Sequence, residues 1–397
     1  MSDKNILVAF GGVSPEHEVS VLTALQAVSA LKETSYHPVA LYITKSGRWL
    51  TGDPLLELEN YQDLKKLEAQ ATPCTFEIDE TGRALLTETG KKGLFQKPIK
   101  TPIHTVLMSF HGSDGENGAF QGLMESLNLP YSGSGILGSS LGMDKWRAKI
   151  FCRANDIPVT NDVSFTETDW EKNQDVILKK IESLNWPVFV KPVHLGSSIG
   201  VIKCSDKEKL VESIETAFRY DARLIVEEAV HPLMEINCSV LGNEESAQAS
   251  VCEQPISKEE LLTFEEKYLS DGGGGKGMAS ADRRIPAPIS DELTRQIQEL
   301  SVRIFQAMDC SGVTRLDFLI NSDTNQIYFN EINTIPGSFS FYLWDKTDIP
   351  YPRLLEQLIS LAQERHRQKN GRIRSYETNL LSKKSVQGIK GLKFRKS

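Results

Sequence analysis

The stretch TRLDFLINSDTNQIYFNEINT, residues 314–334, places two acids on what reads as a β-hairpin. Its apolar runs flank the polar turn NSDTNQ. Pairing symmetric about residue 324 sets Asp317 opposite Glu331 and Arg315 opposite Asn333. Strand alternation keeps 315 and 317 on one face, with 331 and 333 on the matching one. Residues so opposed lie about 4.5–5.5 Å apart, and two facing carboxylates destabilise a sheet unless positive charge lies between them. A hard divalent cation held by the oxygens of Asp317, Glu331 and the Asn333 amide meets that need. Magnesium takes few protein ligands and leaves places for substrate phosphates. Also open is a solvated face on which Arg315 balances the acids; a one-residue slip of register would separate the pair.

A phosphate-binding loop is the natural companion of such a site. KPVHLGSSIGV, residues 191–201, ends an apolar run in Lys191 and follows it with Gly196, Ser197, Ser198 and Gly200. The stretch is not G-x-x-x-x-G-K-[ST]. Its glycines still allow backbone N–H groups to approach phosphate oxygens, and its hydroxyls add donors. The alternative is a plain turn preceded by a snorkelling lysine. EEKYLSDGGGGKGMASADRR, residues 265–284, carries four consecutive glycines. It reads either as a flap that closes Lys267 and Lys276 over phosphates or as a flexible linker. Near the N-terminus, AFGGVSPEHEVS puts two glycines after a strand without G-x-G-x-x-G, which excludes a dinucleotide fingerprint. Glu16 in that stretch either holds an ammonium group or, with Ser14, caps a helix. His111 in SFHGSDGENG ends another strand of the same domain.

The elements that must position these residues follow from periodicity. Residues 5–10, 39–43 and 105–110 read as buried strands, and 18–32 has helical spacing. Strand, helix, strand implies parallel pairing in an α/β domain. Residues 45–100 read as an irregular, charge-rich insertion. One helical pattern runs over 139–156. The strand 188–191, the loop 194–200, the strand 201–203, the helix 208–220 and the strand 224–230 then form a small α+β lobe. From about 232 to 365 come strands at 236–241 and 248–252, the glycine-rich loop 270–277, a helix near 290–308 and the hairpin.

The chain has 397 residues, more than one core of ordinary size needs, so two or three domains are expected. It is 40% hydrophobic and 25% charged, as soluble globular proteins are. No apolar run reaches the roughly 18 residues of a membrane span, and MSDKNILVAFGG lacks the layout of a signal peptide. The six cysteines form no C-x-x-C pair, which argues against a zinc knuckle or redox motif. Their scatter fits free thiols in a reducing cytoplasm. The net charge of −8 divides unevenly: residues 366–397 carry +9 and the other 365 carry −17. An acidic body argues against nucleic-acid binding, while the basic tail is either a solvated extension or an anionic-surface contact.

Taken in chain order, these stretches resemble the D-alanine–D-alanine ligase family of ATP-grasp enzymes. The resemblance covers roughly residues 4–365. It rests on GGVSPEHEVS, SFHGSDGENG, GMDKWRAK, KPVHLGSSIGV, VEEAVHPLMEINCSVLGN, EKYLSD, GVTRLDF and NEINTIPGS. It implies an α/β and α+β chain with the three-lobed ATP-grasp fold: an N-terminal parallel-sheet domain over 1–133, a central lobe over 134–231, a C-terminal lobe over 232–365, and the tail 366–397 outside.

Site roles follow from the same resemblance. ATP would lie between the central and C-terminal lobes, with Lys145, Lys191, Ser198 and, from the flap, Lys267 on its phosphates. Glu227 and Glu235 would contact the adenine hinge and ribose, though the spacing between them is one residue longer than usual here. Asp317, Glu331 and Asn333 would hold two Mg²⁺, for which Mn²⁺ can substitute. Glu16 would bind the ammonium of the first D-alanine; Ser197 and Tyr268 would hydrogen-bond with it and close the flap. Arg315 would stabilise the oxyanion, and His111 would assist near the substrates. Gly337 and either Ser340 or Tyr342 would meet the second amino acid, where SFSFYLW departs from the family's serine-containing stretch. The implied activity is ATP-dependent ligation of two D-alanines through an acyl phosphate for peptidoglycan synthesis, by a cytoplasmic homodimer. A different acceptor such as D-serine, and a non-catalytic nucleotide-binding protein, are the alternatives.

Overall fold

The computed structural model describes residues 4–90, 97–256 and 283–376. The N-terminal domain starts with β1 (Asn5–Gly11), α1 (His17–Leu31) and β2 (His37–Ile43). It continues through β3 (Trp49–Thr51), α2 (Leu64–Gln70), β4 (Thr72–Ile78), β5 (Ala84–Glu88), β6 (Lys100–Pro102) and β7 (Thr105–Met108). Two short helices, α3 (Ser113–Glu116) and α4 (Ala119–Ser126), close it. The sheet order is β6-β5-β4-β3-β2-β1-β7. The apolar run of β1 is buried from Ile6 to Phe10 because both faces of the sheet are covered there. β1 pairs in parallel with β2 and β7.

The segment expected to be an irregular insertion instead supplies four antiparallel strands, β3 to β6, and makes the sheet mixed rather than wholly parallel. These strands are short and half exposed, so charges on their outer face break the apolar runs that mark β1.

The central lobe begins with α5 (Ile136–Met143) and α6 (Lys145–Ala154). The single helical pattern over 139–156 is thus two helices, broken at Asp144, whose side chain accepts from the Arg147 backbone N–H and caps α6. The break places Lys145 on the first turn of α6. Next come β8 (Asp162–Thr166), α7 (Glu167–Glu182), β9 (Val188–Pro192), β10 (Ile202–Cys204), α8 (Lys207–Ala217) and β11 (Arg223–Glu228), with the antiparallel sheet order β10-β9-β11-β8.

The C-terminal lobe contains β12 (Leu233–Gly242), β13 (Ala247–Pro255), β14 (Arg283–Arg284), α9 (Asp291–Ala307), β15 (Gly312–Asn321) and β16 (Ile327–Asn333). Its sheet order is β14-β13-β12-β15-β16. The helix α9 buries Leu293, Ile297, Ile304 and Phe305 against this sheet, and α6 adds Ala148 and Cys152 to the same core. Two helices follow, α10 (Phe341–Asp345) and α11 (Tyr351–Asn370). The latter went unpredicted although Leu354, Leu355, Leu358, Ile359 and Ala362 mark one face at helical spacing. That face joins the N-terminal core, so the end of the chain folds back onto its beginning. The helix runs through residue 365, and Arg374 donates to Asn128 Oδ1 at 3.0 Å, so the first part of the basic tail is packed on the N-terminal domain.

Candidate active site

The N-terminal domain and both following lobes border one cavity. Glu16, His111 and Glu116 reach it from the N-terminal domain, and Lys145, Lys191 and the 196–198 loop from the central lobe. The hairpin forms the third wall.

The pairing expected of that hairpin is present: Asp317 opposes Glu331, and Arg315 opposes Asn333. It arises in an unforeseen way. Phe318 pairs with Phe329, so a bulge at Asn330 shifts the register by one between the turn and the acids. Arg315 grips Asp317 with two bonds of 2.7 Å, from Nε to Oδ1 and from Nη2 to Oδ2. Asn333 Nδ2 donates to the same carboxylate at 3.1 Å. Glu331 pairs instead with Lys145 at 2.8 Å. Each acid therefore has its own cation. Among the described residues no group of three or more His, Cys, Asp and Glu side chains is gathered tightly enough to cage a metal. Two carboxylates and an amide oxygen suit a magnesium ion that takes its other ligands from phosphates and water.

Lys145 also donates to Leu195 O at 2.7 Å, which ties the start of α6 to the glycine-serine loop. Burial opposes its charge, but Glu331, Glu16 and Glu227 together outweigh burial and hold its pKa above the ordinary value. Ser197 and Ser198 adopt left-handed φ of 53° and 59°. His194, in the same loop, bridges Asp221 and Asp144 at 2.9 and 3.2 Å. Hydrogen bonds to those two acids push its pKa up to about 9. The loop is thus fastened to the start of α6 through Asp144 and Lys145, and to the turn before β11 through Asp221.

Lys191 contacts Asn330 Oδ1 at 3.3 Å and forms an ion pair with Glu227. A residue that sequence reasoning missed, Lys149, meets the same carboxylate and Thr160 Oγ1. Lys149 is fully buried on α6 four residues beyond Lys145, and that helical spacing was its signal. Burial opposes the charge on Glu227, yet the two ammonium groups hold its pKa down at about 2. The carboxylate that the resemblance assigned to the adenine hinge is thus buried between Lys191 and Lys149. Glu235, on β12, does line the cavity.

Glu16 sits at the N-cap position of α1, but its side chain makes no capping bond. Ser14 Oγ receives the Glu16 backbone N–H at 3.1 Å and donates to His111 O at 2.8 Å. The Glu16 carboxylate accepts from Ser197 instead. A Cβ on Gly196 would approach it to 3.1 Å, and one on Gly112 to 2.5 Å, so only glycine leaves room at Gly112. Glu116, also missed, accepts from the N–H groups of Gly112 at 3.0 Å and Ile335 at 3.1 Å. Burial and the nearby Glu16 raise its pKa to about 7. His111 Nε2 lies 2.8 Å from Thr23 Oγ1, and burial beside Arg315 lowers its pKa to about 3. The imidazole is therefore neutral at physiological pH.

Gly337 also lines the cavity, but Ser340 and Tyr342 do not. The Ser340 hydroxyl is sealed in the interior, and Tyr342 donates to Glu253 Oε1 at 3.1 Å. Lys267, Tyr268 and the 270–277 loop lie outside the described residues.

Comparison with known proteins addresses the whole arrangement. Residues 5–134 match the family described as the D-ala D-ala ligase N-terminus, and residues 151–360 the D-ala D-ala ligase C-terminus. The chain is 37% identical over 382 residues to the D-alanine–D-alanine ligase of Thermosipho africanus, covering 96% of this chain and 99% of that one. Among solved structures, the D-alanine–D-alanine ligase from Coxiella burnetii matches with a TM-score of 0.77 at 30% identity, covering 96% of this chain and all of that one. The VanG D-Ala:D-Ser ligase from Enterococcus faecalis matches with a TM-score of 0.74 at 29% identity, over 91% and 99% of the two chains. Both halves of the sequence and the arrangement of its three sheets lead to the same place: this chain belongs to the D-alanine–D-alanine ligase family, with the ATP-grasp fold.

Proposed function

We propose that the protein joins two molecules of D-alanine into D-alanyl-D-alanine for peptidoglycan synthesis, with release of ADP and phosphate. The observation that carries this reading is the meeting of Lys145, from the start of α6, with Glu331 of the hairpin at 2.8 Å. It brings phosphate-binding cations and paired acids to one point, as phosphoryl transfer requires.

A carboxylate is a poor acylating agent because its leaving group is oxide. Transfer of the γ-phosphoryl group onto the first D-alanine makes an acyl phosphate, from which phosphate departs readily. Lys145 and Lys191 neutralise phosphate charge, and Ser198 and the 196–198 backbone add donors. Glu16, held by Ser197, takes the ammonium of the first D-alanine and points its carboxylate towards ATP. The amine of the second amino acid then attacks the acyl carbon, and Arg315 receives the negative charge that develops on oxygen. Glu235, which lines the cavity, bonds a ribose hydroxyl in this reading, and neutral His111 serves as a hydrogen-bonding partner. Asp317, Glu331 and Asn333 would hold two Mg²⁺, which when bound supply Lewis-acid stabilisation of the phosphoryl oxygens. Lys267 and Tyr268 complete the reading as flap residues that exclude water.

The reading extends to a homodimer in the cytoplasm. The six cysteines are free and buried, as suits a reducing compartment. No described helix is long and apolar enough to cross a membrane.

The test is ADP and phosphate release with ATP, Mg²⁺ and a panel of D- and L-amino acids, the dipeptides being identified by mass. D-alanine alone is expected to give D-alanyl-D-alanine. If D-alanine alone gives no turnover while D-alanine with D-serine does, the acceptor assignment fails. If ATP binds without turnover on any amino acid, the enzyme reading fails.

A further inference from the structure

Gly337 lines the cavity, but Ser340 and Tyr342, the two sources of the hydroxyl expected beside it, do not. Also lining the cavity is a charged pair that no part of the reading above uses: Arg283 of β14 and Glu253 of β13. Arg283 Nη1 donates to Glu253 Oε2 at 2.8 Å. Its guanidinium lies over the Tyr342 ring, 4.2 Å from the centroid. Asn237 Nδ2 and the Tyr342 hydroxyl both donate to Glu253 Oε1, each at 3.1 Å. The guanidinium is therefore held at its edge by a carboxylate and from below by an aromatic face, in an assembly that is itself nearly dry: the Arg283 side chain is 9% exposed and that of Glu253 2%.

We infer that Arg283 is the specificity-determining residue for the acceptor, its guanidinium receiving the α-carboxylate of the second amino acid, with Tyr342 and Glu253 as its positioning residues. This rests on the ligase reading. The acceptor's amine must reach the acyl carbon near Arg315, so its carboxylate falls farther along the cavity. Among the described residues two guanidiniums line the cavity: Arg315 gives two donors to Asp317, and Arg283 gives Nη1 to Glu253. A planar fork with five N–H donors matches a carboxylate in two-point contact, and stacking on a ring fixes its plane. Tyrosine at 342 thereby acquires a purpose: a serine would leave the guanidinium without its platform.

The test compares two acceptors, D-alanine and D-alanine amide. The amide has no carboxylate to activate, so it can act only as acceptor, and its product, the dipeptide amide, is separable by mass. Wild-type enzyme is expected to favour the free acid in kcat/KM. In Arg283→Gln the KM for acceptor D-alanine should rise roughly 10- to 100-fold, the range for a lost charge-assisted contact, while the rate with the amide changes little. The preference then collapses. Glu253→Gln/Arg283→Gln leaves no unpaired buried charge, guards against misfolding, and should show the same collapse. Tyr342→Ala should follow Arg283→Gln, whereas Tyr342→Phe, which keeps the platform, should retain most of the preference. A wild-type enzyme that ligates D-alanine while both Arg283 variants keep the preference for the free acid overturns the inference alone. So does an equal loss on both acceptors. A wild-type enzyme inactive on every amino acid overturns the ligase reading and this inference with it.

Discussion

The Ser197 hydroxyl donates a hydrogen bond to the Glu16 carboxylate across 181 residues of sequence. It joins the glycine-serine loop of the central lobe to the first helix of the N-terminal domain. In the proposed mechanism this links nucleotide and amino-acid sites, because the loop beside ATP also fixes the acid that holds the substrate ammonium.

Ser197→Ala should therefore raise the KM of the first D-alanine about 10-fold or more, the usual worth of a hydrogen bond to a charged group. The KM for ATP should change far less, since Lys145 and Lys191 remain. Initial rates with each substrate varied in turn measure both; a selective rise for ATP would contradict the link.

Glu331→Gln keeps the shape of the hairpin and removes one of the opposed charges. Groups that merely orient a metal ligand are worth about 10- to 100-fold, so loss of a ligand should cost at least that in turnover and raise the Mg²⁺ needed for half-maximal rate. Circular dichroism should be unchanged. Near-normal turnover at low Mg²⁺ would remove Glu331 from the metal site.

His194 predicts a pH dependence. Its pKa is raised from the ordinary 6.5 to about 9 by Asp144 and Asp221. A raised cationic pKa contributes stability that is fully present below pH 6.5 and is lost as pH rises through about 9. The gap in Tm between wild type and His194→Gln should be widest near pH 6 and close by pH 10. A gap that grows with pH would refute the assignment of the loop's anchor. Because the loop neighbours Lys145, the variant should also raise the KM for ATP.

Glu227 predicts the opposite sign. Its pKa is depressed from 4.5 to about 2, so its contribution is present above pH 4.5 and lost as pH falls through about 2. Glu227→Gln leaves two buried ammonium groups facing a neutral amide, and breaking a buried pair in this way costs about 3–5 kcal/mol. Chemical denaturation at pH 7 should show that loss, and thermal melts the narrowing gap in acid. Lys149→Met/Glu227→Met, which removes one ammonium along with the acid, should recover part of the stability.

Much of the site was legible in the sequence because its residues lie in local contexts with few solutions. The strand 314–320 alternates, and so do residues 331–333, so Arg315 and Asp317 share a side, as do Glu331 and Asn333. The bulge at Asn330 was not legible: an extra residue leaves no mark on composition, and symmetric pairing about residue 324 reached the right partners only because the bulge offsets the true centre of the turn. Lys145 was named in the sequence, but its place on the first turn of a separate helix depends on Asp144 acting as a cap, which a pattern of apolar spacing does not reveal. The strands between residues 49 and 102 were read as irregular because strands of three to seven residues with a solvated face carry too few apolar positions to show a period.

The chain by itself determined which chemical groups are present, their order, and the alternation that sets the hairpin acids on one face. Tertiary structure decided which charges meet. Glu331 went to Lys145, Glu227 to Lys149 and Lys191, and Glu253 to Arg283. The reason is range: side-chain direction in a strand or helix repeats over a few residues and is written locally. The partner of a buried charge comes from whichever element packs opposite, and here those partners lie up to 186 positions away, as with Lys145 and Glu331.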